Sequence, residues 1–89
     1  MRLANKVVVV TGAAQGMGQA TVAACIEQGA VVCGLDMNAD GLNALAETHG
    51  ATFSGHVCDI SDSAAVSQVF AEIKAQHGSV DALVNNAGV

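Results

Sequence analysis

At 89 residues the chain has room for one domain, and roughly 60–65% of the unfolded surface can be buried at this size. Apolar residues make up 52% of it and charged residues 12%, which excludes a disordered tail or a charged linker. The net charge is −5 and only Arg2, Lys6 and Lys74 are positive, so nucleic acid and anionic membrane surfaces are poor partners.

Phe53 and Phe70 are the aromatic residues, with no Trp and no Tyr, so the core must be built from Val, Ala, Leu and Ile. The N-terminal MRLANK runs into only four consecutive apolar residues. That is too short for a signal segment or a membrane span, and the expected address is the cytoplasm. Cys25, Cys33 and Cys58 lack C-x-x-C spacing and read as buried free thiols. His49, His56 and His77 have no metal-ligand spacing, so no metal site is expected.

In chain order, Lys6 to Thr11 is the first strand, and its run Val7-Val8-Val9-Val10 suits a parallel strand buried on both faces. Thr11-Gly12 ends it, and a helix follows from about Gly16 to Gln28. Gly18, Thr21, Val22, Cys25 and Gly29 fall on one helical face, with Gly18 allowing close approach to the strand and Gly29 ending the helix. A strand that feeds a glycine turn and a helix N-terminus is an anion site, because glycines admit close approach and the first-turn N–H groups point outward. The expected guest is the pyrophosphate of a dinucleotide.

Ala30 to Asp36 is the second strand, apolar until its last residue. Asn38 caps a second helix whose inward stripe is Leu42, Leu45, Ala46 and His49, and Gly50 closes it. Ala51 to Asp59 is a weaker third strand, with Phe53 and Val57 on one face and enough polar residues to suggest a sheet edge. Ser61 caps a third helix reaching His77, with Asp62 in its first turn and Lys74 in its last. Its core stripe is Val66, Val69, Phe70 and Ile73, and Gly78 ends it. Asp81 to Val84 opens a fourth strand that runs into Asn85-Asn86-Ala87-Gly88.

Alternating strands and helices define an α/β fold, a partial Rossmann-type parallel sheet of four strands and three helices. If the fourth strand returns beside the first, the order is 3-2-1-4 and the crevice between them is the switch point where ligands bind. The fourth strand is then an edge. Only the third helix covers one face, which would leave about half of the Val7–Val10 run poorly covered.

The glycines Gly12, Gly16 and Gly18 give T-G-x-x-x-G-x-G rather than G-x-G-x-x-G. Together with Asp36 closing the second strand, Asp59-Ile60 after the third and N-N-A-G after the fourth, this resembles the short-chain dehydrogenase/reductase family from Leu3 to Val89. The resemblance implies that Gly12, Gly16 and Gly18 belong to the pyrophosphate turn, with Gln15 and Met17 between them also cofactor-binding. It implies that Asp59 and Ile60 flank the adenine, that Asn86, Ala87 and Gly88 lie along the cofactor, and that Thr11 and N-N-A-G brace strand one against strand four. Asn85 and Asn86 also read as satisfied turn amides.

Asp36 lies 18 residues beyond Gly18, where a carboxylate can accept from a ribose diol and repel a 2′-phosphate. Gln15 and Met37 supply no base for such a phosphate, so NAD is expected over NADP. The competing reading of Asp36 is a turn or helix-capping aspartate. The family's tyrosine acid/base, with its lysine four residues on, a substrate-orienting serine and a helical asparagine, lie downstream of N-N-A-G. This chain has no tyrosine. Residues 1–89 are therefore read as the NAD-binding half of an oxidoreductase that moves hydride between nicotinamide and an alcohol or ketone, a homo-oligomer when full length. The alternatives are a non-catalytic dinucleotide-binding or assembly module and an S-adenosylmethionine methyltransferase, the latter unsupported by N-N-A-G.

Overall fold

The computed structural model describes residues 2–86. Four strands, β1 (Val7–Thr11), β2 (Val31–Asp36), β3 (Phe53–Val57) and β4 (Ala82–Asn85), form one parallel sheet in the order β3-β2-β1-β4. Helices α1 (Gly16–Glu27), α2 (Ala39–His49) and α3 (Ser63–His77) connect them. The order is the expected 3-2-1-4, and among the described residues β4 pairs with β1 alone, as an edge.

The sheet separates two apolar layers. Val8, Val10, Val32 and Phe53 face α1 and α2, packed with Val22, Leu42 and Leu45. Val7, Val9, Cys33 and Leu35 face α3, packed with Ile73 and the partly buried Val66, Val69 and Phe70. The expected poor cover over the valine run is corrected here: none of Val7 to Val10 is more than 6% exposed. One helix is enough because Cys58, Ile60 and Val80, on the segments that flank α3, close the same layer.

Gly34 lets the sheet pack this tightly. A Cβ there would sit 2.7 Å from the Phe53 ring and 2.8 Å from the Ala13 methyl, so β2 keeps a bare backbone where β3 and the β1–α1 turn converge.

Two element ends and one side chain's burial differ from expectation. The third strand begins at Phe53, because Gly50–Thr52 forms a single 3-10 turn continuing from α2. Val57 shares a face with Phe53 but is 63% exposed; it ends the edge strand and lies outside the apolar layer that Phe53 joins. The α3 cap is Asp62, whose Oδ1 accepts the N–H groups of Ala64 and Ala65 at 3.1 and 3.2 Å. Ser61 is not free for that role, because Asp59 takes its hydroxyl and its N–H. Asn38 caps α2 as expected, accepting from Gly41 N at 3.0 Å.

Candidate cofactor site

The chain leaves β1 through Gly12, which has φ 65° and so occupies a region that side chains disfavour. The N–H groups of Gly12 and Ala13 both donate to Leu35 O, at 2.8 and 3.3 Å, and Gln15 N donates to Gly12 O at 3.1 Å. The turn is thereby pinned to the end of β2 before α1 begins. Gln15 occupies the N-cap position of α1 but makes no side-chain cap bond. The N–H groups of Gly16, Met17 and Gly18, which open the helix, have no acceptor within it by helical geometry, and the dipole adds partial positive charge there. Gln15, Gly16 and Met17 are exposed.

The two glycines of this first turn do different work. A Cβ on Gly16 would meet nothing within 4 Å, so its space is open to a ligand. A Cβ on Gly18 would overlap the carbonyl oxygen of Gly12 and lie 2.8 Å from its carbon, so Gly18 is bare to let α1 settle onto the turn.

Beside the turn, the ends of β2 and β3 frame a cleft of about 390 Å³ lined by Gly12, Gln15, Asp36, Met37, Cys58, Asp59, Ile60 and Ser61. Asp36 is only 9% exposed. Its Oδ2 accepts Ala14 N at 3.1 Å and its Oδ1 accepts Asn38 N at 2.9 Å. The turn-capping reading of this residue is therefore realised, with the carboxylate still bordering the cleft. Asp59 is exposed and accepts from Ser61 Oγ and Ser61 N, bonds that hold its carboxyl below the usual carboxylate range. Burial and the nearby Asp59 and Asp62 push the Cys58 thiol up, so it stands in the cleft wall as a neutral apolar group.

On the other side of β1, Thr11 Oγ1 donates to Asn85 Oδ1 at 2.8 Å and accepts Asn86 N at 3.1 Å. This is the expected brace between the first and fourth strands. The side-chain nitrogen of Asn86 is buried and has no hydrogen-bond partner.

The structure thus gathers Gly12, Gln15, Asp36, Asp59 and Ile60 around one cleft. Gly16, Met17 and Gly18 lie at the adjoining helix N-terminus, and Asn86 across β1. Ala87 and Gly88 lie outside the described residues. Cys58 and Ser61, which the sequence reading did not place in the site, complete its wall. Cys58 reaches the wall because the β2–β3 pairing continues past Val57, with Cys58 N donating to Asp36 O at 3.0 Å. Among the described residues no group of three or more His, Cys, Asp or Glu is placed to hold a metal ion. No helix among them is long and apolar enough to cross a membrane.

Residues 6–89 match the family model of the short chain dehydrogenases. The chain is 42% identical over 91 residues to the D-threitol dehydrogenase of Mycolicibacterium smegmatis, covering 99% of itself and 35% of that protein. It is 38% identical to the meso-2,3-butanediol dehydrogenase of Serratia marcescens and 36% identical to the 3-oxoacyl-acyl-carrier-protein reductase of Escherichia coli, covering itself fully and 36% of each relative. A crystal structure of a short chain dehydrogenase from Bacillus anthracis superposes with a TM-score of 0.90 at 22% identity, covering 97% of this chain and 36% of that one, which establishes the shared fold. The chain belongs to the short-chain dehydrogenase/reductase family of oxidoreductases. It spans about a third of the length of these curated relatives, 35–36%.

Proposed function

We propose that residues 1–89 are the NAD-binding part of an enzyme that transfers hydride between nicotinamide and an alcohol or ketone. The observation that carries this reading is the junction of an uncapped α1 N-terminus with a cleft bordered by the Asp36 carboxylate. A dinucleotide fits what is present: open space over Gly16, first-turn N–H groups for the pyrophosphate, and a carboxylate one strand away for the ribose. A carboxylate offers about four acceptor sites, and the two backbone bonds of Asp36 leave one on each oxygen for a ribose diol. Ile60 and the exposed Met37 offer apolar surface to the adenine, and the buried, unpartnered amide nitrogen of Asn86 offers a donor further along.

NAD is favoured over NADP because a 2′-phosphate beside Asp36 would meet like charge. Neither Gln15 nor Met37 could offset it. The cofactor supplies the hydride exchange itself; these residues bind and orient it. The relatives named for D-threitol and meso-2,3-butanediol support an alcohol carbon as the substrate class. The acid/base that the family resemblance implies is a tyrosine, and these 89 residues contain none. Calorimetric titration of the 89-residue chain is the direct test, with NAD binding more tightly than NADP as the expected result. NADP binding more tightly would overturn the assignment. Turnover of an alcohol by the purified chain would remove the separation of binding from catalysis.

A further inference from the structure

We propose that Asp36 is a positioning residue for the phosphate turn, and that it supports binding of NAD and NADP alike through that turn, before any contact with a ribose. The proposal rests on the dinucleotide reading above but assigns the carboxylate a different task.

The backbone shows why the task exists. Gly12 N and Ala13 N both end on Leu35 O, while Asp36 O turns to the β3 side and accepts Cys58 N, so β2 has no further carbonyl on the β1 side when the chain reaches Ala14. The next donor, Ala14 N, is served by the Asp36 carboxylate, in effect one more rung made by a side chain. The bond is charge-assisted and the carboxylate almost fully buried, which strengthens it relative to a neutral surface bond. The second oxygen of the same carboxylate holds Asn38 N, and Asn38 in turn caps Gly41 N. Ala14 is confined from the other side as well. A Cβ on Gly41 would lie 2.7 Å from the Ala14 methyl, and Ala14 O accepts Gln19 Nε2 at 2.7 Å. Asp36 therefore ties the start of α1 to the start of α2 through the residue two positions before Gly16.

A carboxylate that only reads the ribose could be removed to admit NADP. One that also braces the turn could not. Asp36→Ala leaves Ala14 N without its acceptor and frees the segment that aims the Gly16, Met17 and Gly18 amides. The gap between the dinucleotides would then close by loss of NAD affinity, with no gain for NADP.

The test compares the 89-residue chain with Asp36→Ala, Asp36→Asn and Asn38→Ala. The last removes the α2 cap but keeps the bond to Ala14. Amide hydrogen exchange at Ala14 should speed up by about tenfold or more in Asp36→Ala and stay unchanged in Asn38→Ala. The shifts that inorganic pyrophosphate induces at the Gly16, Met17 and Gly18 amides should weaken in Asp36→Ala, and NADP affinity should not rise. Higher NADP affinity with unchanged Ala14 exchange would overturn the brace and leave the ribose role standing. Failure of the unmodified chain to bind either dinucleotide would count against the cofactor reading alone, because Ala14 exchange and the pyrophosphate response still decide the brace. If Asp36→Ala does not fold, Asp36→Asn decides. Its NH₂ must face one of the two backbone N–H groups, so the brace requires faster exchange at Ala14 or Asn38. Exchange at both equal to the parent chain would reject it.

Discussion

The hydroxyl of Thr11 donates to Asn85 Oδ1 at 2.8 Å while accepting Asn86 N at 3.1 Å. One small side chain, 5% exposed, thus ties the end of β1 to the end of β4 beside the crevice where the sheet order reverses. The tie matters because, among the described residues, β1 is the strand neighbour of β4 on one side and no strand lies on the other. Thr11→Val keeps the volume and removes the hydroxyl, leaving two groups in a half-buried site without that partner. Urea unfolding should show a loss of about 1–3 kcal/mol with an unchanged m-value, and Thr11→Ser should restore most of it. Equal midpoints for Thr11→Val and the parent chain would show that the tie adds nothing to stability.

The two glycines at the start of α1 should separate stability from binding. Gly18→Ala drives a methyl into the Gly12 carbonyl and should destabilise the chain by about 1–3 kcal/mol, or more if the turn cannot shift. Gly16→Ala meets open space and should leave the melt unchanged or raise it, by up to about 1 kcal/mol from helix propensity. Gly16→Val should nonetheless remove dinucleotide binding, since its branched side chain fills the space a pyrophosphate would use. Calorimetry and thermal melts on the same samples check both halves. Intact affinity in Gly16→Val would move the anion site elsewhere.

Much of this arrangement was legible in the residues because its signals are local. Val7–Val10, the glycines that end each helix and the spacing of Leu42 and Leu45 each report a period or a break. Crossover handedness placed the helices on their faces, whereas the strand order 3-2-1-4 held only on the condition that the fourth strand return beside the first, which it does. The α3 cap was not legible, because Ser61 and Asp62 are both good caps and the choice depends on Asp59 capturing Ser61. The cover over the valines was not legible either, since counting helices ignores the connecting segments that carry Cys58, Ile60 and Val80. For Asp36, type and position pointed to the ribose. Its bond to Ala14 spans 22 residues and belongs to a fold that must already exist.

Stability should fall on mild acidification. His56 on β3 lies under α3, where burial pushes its imidazole below the ordinary 6.5; the nearby His77 lowers it further and Glu72 partly opposes both. Ser54 Oγ lies 3.4 Å from its ring nitrogen, and the Nε2 of His77 is buried without a partner. The folded pKa is depressed, so the unfolded state binds the proton more readily. The neutral ring's contribution is complete above about pH 6.5 and is lost as pH falls through the folded value. The Asp59 carboxyl, also depressed, acts lower down: its contribution is present above the ordinary 3.8 and lost only in stronger acid. Melting temperatures measured from pH 8 to pH 5 should decline below about 6.5, and His56→Gln should flatten that decline. A His56→Gln profile parallel to that of the parent would assign the decline to other groups.

The free side of β4 should make the 89-residue chain associate with itself. Leu83 pairs in register with Val9, yet it is 53% exposed while Val9 is fully covered, because α3 spans β1 and β2 and stops short of the edge. Ala82 beside it is exposed too. An apolar strand with an open row of N–H and C=O groups is a template for a second strand, and the nearest available one is β4 of another copy. Sedimentation velocity should therefore show mass rising with concentration. Leu83→Lys places a charge on that edge and should return the chain to a monomer with little change in its melt, since the native side chain is half exposed. NAD should raise the melting temperature of both forms by mass action, without dissolving the association, because the cleft lies at the ends of β2 and β3, on the other side of β1 from β4. A clean monomer at every concentration would reject the edge as the contact, and association that survives Leu83→Lys unchanged would place the contact on another face.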